Sequence, residues 1–475
     1  MTSILNVTDY FALSHLLILL LGGLILLLLE SFSPSRAKKR SFSITLSTLA
    51  LSLIATLVQP VSTNPLLTPW LHFDSISRFF TTLFLMSGIG ITLLSYSFFK
   101  RFNASQGEYY FLLLSSVIGM ILIGHAADFL TLFLGLEALS ISIYILSGYM
   151  KKWEGSSESA IKYFLMGSIA TGFFLYGIAL VYGAIGHTSF ASLLASYHAI
   201  FLEPEKALFL GGIALVTFGL IFKAAIVPFH FWAPDVYAGS STPVTALMAV
   251  GIKAGAFAAL TRVFMEALYL FDPLWNSAIA ALVYPTLIYS NILAIRQKHL
   301  RRFFAYSGIS HAGFLLIPIA VGNEEAHHAL SFYLVVYVIA TLGAFAVLAS
   351  LDKDSRGVMI EDLKGLFQRA PLLACVFSLC LLTLAGFPPT VGFFAKFMIF
   401  KSAFQAGYYD LVVLGLITTI FSTFYYFRFI SAMLTPAAEG GVFEKSYPSE
   451  KILGVLCSAA ILWCSCFPST LSFVY

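Results

Sequence analysis

Six residues with titratable side chains interrupt otherwise apolar stretches of this sequence: Glu137, Lys162, Lys223, Lys253, His311 and Lys396. A lysine at the centre of a membrane helix costs about 2.5–3.5 kcal/mol on insertion scales. A chain that keeps several such groups uses them, and the default chemistry is an ion or proton pathway. Glu137 lies in LTLFLGLEALSISIYIL and Lys223 five residues before Pro228. An ion pair between them lowers the insertion cost of both, and opening it changes how tightly the lysine holds its proton. The competing reading is a static buried pair, which is a poor stabiliser because desolvation offsets the attraction.

Lys253 has small neighbours, Gly251, Ala254 and Gly255, and no acidic partner on its own helix, which favours a proton relay over packing. Lys396 follows Pro388 and Pro389 and reads as a counterpart of Lys223. His311, in YSGISHAGFLL, suits a bridge between Lys253 and Lys396, since imidazole titrates near neutral pH. A hydrogen-bonded core histidine is its rival. Lys162 is only about two residues inside its run, where snorkelling to the interface competes with a functional role.

The elements that position these groups follow from composition. The 475 residues are 59% hydrophobic and 11% charged, with a mean hydropathy of +0.89. Soluble domains carry about a quarter charged residues, so the lipid bilayer is the solvent for this chain. The net charge of +4 does not point to nucleic acid. Apolar runs long enough to span recur fourteen times between about residues 12 and 471. The first, ALSHLLILLLGGLILLLLE, lacks a basic segment before it and is counted as a span, not a leader. Two further stretches, near 66–75 and 189–202, read as amphipathic interfacial helices.

With the RAKKR loop (36–40) inside, seventeen Lys and Arg fall in inside loops and Lys206 alone in an outside loop. This asymmetry supports fourteen spans with both termini outside; the location expected is a bacterial inner membrane, with both termini periplasmic. Two spans are interrupted, FKAAIVPFHFWAPDVYAG by Pro228 and Pro234 and LAGFPPTVGFFAKF by Pro388 and Pro389. Proline removes a donor and clashes with the preceding turn, so both are expected to be discontinuous helices. The fold class expected is an all-α polytopic membrane protein with two inverted five-helix repeats, each with one broken helix. The divisions are 1–107 (three helices), 108–265, 266–434 and 435–475 (a last helix).

No phosphate-binding loop, dinucleotide fingerprint or metal-ligand cluster is present in the sequence. Cys375, Cys380, Cys457, Cys464 and Cys466 form no CxxC pair and read as buried thiols. The chain therefore carries no engine of its own.

LFLGLEALSI, AIKYFLMGS, FKAAIVPFHFWAPDVYAGSSTPV, GIKAGAF, LRRFFAYSGISHAGFLL and LAGFPPTVGFFAKF resemble the antiporter-like membrane subunits of respiratory complex I, the NADH–quinone oxidoreductase. The resemblance runs from about 75 to 430. It implies a central axis of charge and a proton path driven by quinone reduction elsewhere. Glu137 matches the family's glutamate of the fifth helix and Lys223 the lysine of the broken seventh. Lys253 matches the connecting lysine of the eighth and Lys396 the exit lysine of the broken twelfth. Lysine at that last place points away from the sister subunit with glutamate there. An end soon after the fourteenth span points away from the largest sister, which has a long lateral helix. The resemblance implies that NADH, flavin, iron–sulfur clusters and quinone sit on partner subunits of the membrane and peripheral arms. A subunit of a multisubunit sodium/proton antiporter is the alternative, and a structural membrane scaffold the rival from another class.

Overall fold

A computed structural model describes residues 6–102, 104, 107–195, 205–436 and 448–470. Among these there are helices and three isolated β-bridges, and no strand. The membrane helices are α1 (Ser14–Phe32), α2 (Pro34–Leu57), α3 (Ser75–Arg101), α4 (Gly107–His125), α5 (Phe129–Ser147) and α6 (Ser156–Ile185). The first interrupted span consists of α7 (Glu205–Lys223) and α8 (Trp232–Gly239). Then come α9 (Thr242–Ala267), α10 (Asp272–Arg296), α11 (Leu300–Val321) and α12 (Glu324–Leu351). The second interrupted span is α13 (Pro371–Ala385) and α14 (Val391–Gln405), followed by α15 (Tyr409–Leu434) and α16 (Pro448–Cys466).

Thirteen of the described helices are long and apolar enough to cross a membrane, and α13 with α14 supplies a further crossing in two pieces. The total matches the fourteen apolar runs. From α4 onward the order repeats: three spans, a broken span and one more, first in α4–α9 and then in α10–α15. Five crossings per unit put the second unit into the membrane upside down. The pairs α4/α5 and α10/α11 are each closely packed neighbours.

The innermost helices are α9, α11 and α12, which carry Lys253, His311 and a row of tyrosines. By contrast α1, α2, α6 and α15 turn Leu, Ile and Phe outward, which in a bilayer is contact with lipid. Along α9 the hydrogen-bonding changes twice. Met248–Ile252 and Thr261–Ala267 are π-helical and bracket an α-helical turn pair, Lys253–Leu260. Such bulges are rare and frequent at functional sites.

The stretch near 66–75 is not an interfacial helix. Asn64 folds it into turns by accepting from Leu66 N at 2.9 Å, and Pro69 lacks the donor a helix needs there. Near 189–202 the structure holds a six-residue helix, Phe190–Ala195, and 196–204 lie outside the described residues.

The helix bearing Lys223 is held by backbone-to-backbone approach. A Cβ on Gly177 would stand 2.7 Å from Gly212 O and from Val216 N, so only glycine lets α6 meet α7 this closely. Gly172, one face away, has open space. Gly177→Val is expected to destabilise the fold by about 1–3 kcal/mol through overpacking, while Gly172→Ala is neutral. Thermal unfolding of the two variants in membranes checks this, and equal stability would remove the close crossing from the account.

Candidate functional site

Lys223 is the last residue of α7, where the chain unwinds. Ala225 closes the helix with a left-handed φ of 57°, a conformation that L-residues other than glycine adopt at a cost. The exposed ends of the break find partners inside the protein. Trp232 Nε1 donates to Phe222 O at 2.9 Å, and Val227 N donates to Thr286 Oγ1 of α10 at 3.3 Å. Backbone groups at membrane depth without water require this. The Lys223 ammonium is buried and donates to Ser140 Oγ (2.7 Å) and Tyr144 Oη (2.9 Å) of α5.

Glu137 sits one turn earlier on α5 and accepts from Thr171 Oγ1 of α6 at 2.7 Å. It is not ion-paired with Lys223, contrary to the sequence expectation. Both face one small cavity with Thr171, Ala170, Phe133 and Gly219. The space open to a water's centre there is about 10 Å³, close to the minimum for one water molecule. Hydroxyls therefore hold each charge singly, with room for a bridge between them.

Lys253 is buried in α9 between the two π-helical segments, and its ammonium donates to Gly308 O of α11. Its Nζ is 5.9 Å from the Tyr337 ring, and that ring is 5.0 Å from His311. His311 is held from both nitrogens. Nδ1 is 2.7 Å from Tyr333 Oη, Nε2 is 3.0 Å from Tyr426 Oη, and Tyr426 Oη is 2.5 Å from Ser307 Oγ. A ring bonded at both nitrogens to hydroxyls, each donor and acceptor, passes a proton at either side. Ser310 Oγ accepts from Asn291 Nδ2 at 2.9 Å.

A second cavity of the same size, about 10 Å³, joins His311 to Lys396 and is lined by Tyr333, Tyr337, Thr383 and Gly392. Lys396 lies in α14, and its ammonium reaches back across the break to Ala385 O, the last residue of α13, at 2.9 Å. A helix C-terminus presents partial negative charge to it. Ser422 and Thr419 Oγ atoms are each 3.4 Å away, and the Phe314 ring centre is at 4.5 Å. Gly386 makes room for this return: its φ is 78°, and a Cβ there would lie 2.8 Å from Lys396 Cδ.

Ala225 and Gly386 are the matching left-handed caps, so the two breaks correspond at an offset of 161 residues (386 − 225). Counted between the first prolines of the breaks, Pro228 and Pro388, the offset is 160 (388 − 228), because the second break has two adjacent prolines. At the structural offset Lys223 matches Leu384 (223 + 161). Lys396 is thus not the counterpart of Lys223: one lysine precedes its break and the other follows.

Lys162 does not join the buried set. Its side chain is 43% exposed and pairs with Glu158 (2.6 Å) and Asp235 (3.2 Å), which also pairs with Arg302 at 3.1 Å. It sits in the first turns of α6, where a charged head reaches the aqueous face. Between Lys223 and Lys253 no described side chain bonds to both.

Sequence reasoning missed the tyrosines around His311, because an aromatic on a helix face reads as packing. It also missed Arg262, wholly buried near the end of α9. Arg262 binds both Asp74 oxygens (2.7 Å each), Glu266 (2.6 Å) and Gly124 O (2.9 and 2.7 Å). Burial would raise the Asp74 carboxyl, but the hydrogen bonds and charge of Arg262 hold it well below the usual carboxylate range. The spacing Arg262-x-x-x-Glu266 was the available signal.

Such a membrane chain, with two interrupted helices and buried lysines held singly by hydroxyls and carbonyls, is of the antiporter-like membrane-subunit class. The chain belongs to the family described as NADH:quinone oxidoreductase/Mrp antiporter, TM, whose model matches residues 126–422. It is 58% identical to the NADH-quinone oxidoreductase subunit N of Protochlamydia amoebophila, over 99% of this chain and 98% of that one. It is similar to a chain of respiratory complex I from Thermus thermophilus, with a TM-score of 0.81, 35% identity and coverage of 96% and 97%. It shares its fold with a chain of the Mrp complex from Dietzia sp. DQ12-45-1b, with a TM-score of 0.85, 18% identity and coverage of 99% and 96%.

Asp74→Asn leaves Arg262 with Glu266 alone. The expected loss is about 3 kcal/mol, the low end for breaking a buried pair, since Asp74 is partly exposed. Asp74→Asn with Arg262→Met should recover most of it. The stabilisation from Asp74 is complete at neutral pH and is lost only as pH falls below the ordinary aspartate range. Thermal inactivation of the single and double variants checks the pair, and no recovery in the double variant would refute it.

Proposed function

We propose that this chain is the proton-translocating, non-redox membrane subunit of an NADH–quinone oxidoreductase. Quinone reduction on partner subunits drives protons along Glu137, Lys223, Lys253, His311 and Lys396. The observation that carries this reading is the way the charges are held. Each buried lysine is bonded to neutral hydroxyls or carbonyls and not locked to a carboxylate. A static ion pair would resist a change of protonation, whereas a singly held ammonium beside a water-sized cavity can give up and regain its proton.

On this reading the relay has four steps: two bridged by small cavities, one from Lys253 to His311 past the Tyr337 ring, and one gated. Glu137 to Lys223 and His311 to Lys396 are each bridged by a cavity that fits about one water. Lys223 and Lys253 share no described hydrogen-bond partner. Passage there requires water to enter or α9 to shift, and the π-helical segments on either side of Lys253 supply a place for such a shift. Lys162 contributes at the aqueous face, beside Asp235 and Arg302, and not within the line.

Moving one proton against 100 mV costs about 2.3 kcal/mol, so the step needs a driving partner. NADH, flavin, iron–sulfur clusters and quinone are assigned to other subunits of the same complex, and this chain packs with the other membrane-arm subunits. The location proposed is a bacterial inner membrane, and the basic-residue asymmetry supports both termini on its periplasmic side.

Lys253→Met and Lys223→Met should assemble into the complex yet lower proton transport per NADH oxidised by on the order of tenfold or more. Glu137→Gln should reduce coupled activity in the same way. The measurement is proton uptake by inverted membrane vesicles, with assembly read from the intact complex on a native gel. Undiminished pumping in an assembled Lys253→Met complex would sink the relay. Pumping that requires sodium in the medium would instead favour the sodium/proton antiporter reading.

A further inference from the structure

A cavity of about 660 Å³ lies outside the proposed relay. It is a crevice between α3, α12 and α16 and opens on the bundle's outer surface, where Met86 and Leu456 are more than half exposed. Its volume falls within the range of sites for sizeable small molecules. The wall is almost wholly apolar. Phe79, Leu83 and Met86 come from α3, Val338 and Leu342 from α12, and Leu456 and Ala460 from α16.

Polar atoms gather at one end only, where Ser75, Arg78 and Thr82 occupy the first turns of α3. Arg78 is exposed and donates to Gln59 O at 2.9 Å. No described carboxylate pairs with it, and the nearby Asp74 carboxylate is taken by both guanidinium nitrogens of Arg262. A long apolar slot with an unneutralised cation at its mouth is complementary to one kind of membrane molecule: acyl chains below an anionic headgroup.

We infer that the α3/α12/α16 crevice is a binding site for an anionic phospholipid, its acyl chain against α12 and α16 and its phosphate beside Arg78. The site bears on the relay through α12. Tyr333 and Tyr337, which touch His311 and approach Lys253, lie on one face of that helix. Val335, Val338, Ile339 and Leu342, which line the crevice, lie on the other. A bound lipid therefore packs the back of the helix that carries the tyrosines.

The test uses the intact membrane complex in nanodiscs of phosphatidylglycerol and phosphatidylethanolamine. A trace of phosphatidylglycerol with a photoreactive acyl chain is added, and labelled peptides are mapped after irradiation. The expected result is label on the crevice-lining peptides of α3, α12 and α16. A phosphatidylcholine probe with the same chain should label them about fivefold less, the ratio that one basic residue gives for an anionic headgroup. Arg78→Gln should abolish that difference between the probes, and Ala460→Phe, which fills the slot and keeps Arg78, should abolish the crevice label itself. Should Arg78→Gln fail to assemble, the two probes on the unaltered complex still decide. Equal labelling by the two probes overturns the headgroup assignment. Absence of crevice label, or a protein helix filling the slot in a density map of the complex, overturns the lipid.

Discussion

In hydrocarbon every backbone polar group and every charge must find its partner inside the protein, and the arrangement of this chain follows from that requirement. Helices meet it for themselves along their length. The two places where the backbone leaves the helix do not, and both are enclosed. In the first break an indole from beyond it caps the last carbonyls, and a threonine of α10 receives the loop N–H. In the second, the ammonium of Lys396 caps Ala385 O, while Ser465 of α16 accepts from Val391 N at 2.8 Å. A break thus cannot be an isolated kink: it recruits polar side chains from neighbouring helices.

The same requirement explains how the buried charges are held. A carboxylate beside each lysine would be the direct solution. The structure uses it for Arg262, whose two acids and one carbonyl hold α9 to α3 and α4. Guanidinium stays charged at all relevant pH and its fork geometry suits that duty. Lys223, Lys253 and Lys396 have only hydroxyls and carbonyls as hydrogen-bond partners. These satisfy the ammonium while remaining compatible with the neutral amine, since a hydroxyl can donate as well as accept. Arg262 and these lysines are thus buried cations held in two different ways.

Around these buried groups, the tyrosines set the geometry. Tyr144 holds Lys223, Tyr337 fills the distance between Lys253 and His311, and Tyr333 with Tyr426 fixes both imidazole nitrogens. The rings pack as large apolar side chains, and their hydroxyls add polar contacts to those of serine, threonine and backbone carbonyls.

Much of this was legible in the sequence. Charge is rare enough in this chain that Glu137, Lys223, Lys253 and Lys396 stand out by type alone, and apolar run length determined the crossings, since hydrocarbon thickness admits few alternatives. Proline marked both breaks because its missing donor acts locally. What only the tertiary structure decided depends on distance between helices. Run length did not reveal that Glu137 bonds Thr171 while Lys223 turns to Ser140 and Tyr144, nor that Lys396 reaches back over its own break. Lys162 and Lys253 are the same residue in similar apolar contexts, yet one reaches the aqueous face and the other is sealed between α9 and α11. Sequence registers where along a helix a charge falls. Which neighbour it meets is settled by how the helices rotate and cross, and that is set by contacts such as Gly177 on Gly212, spread over the whole bundle.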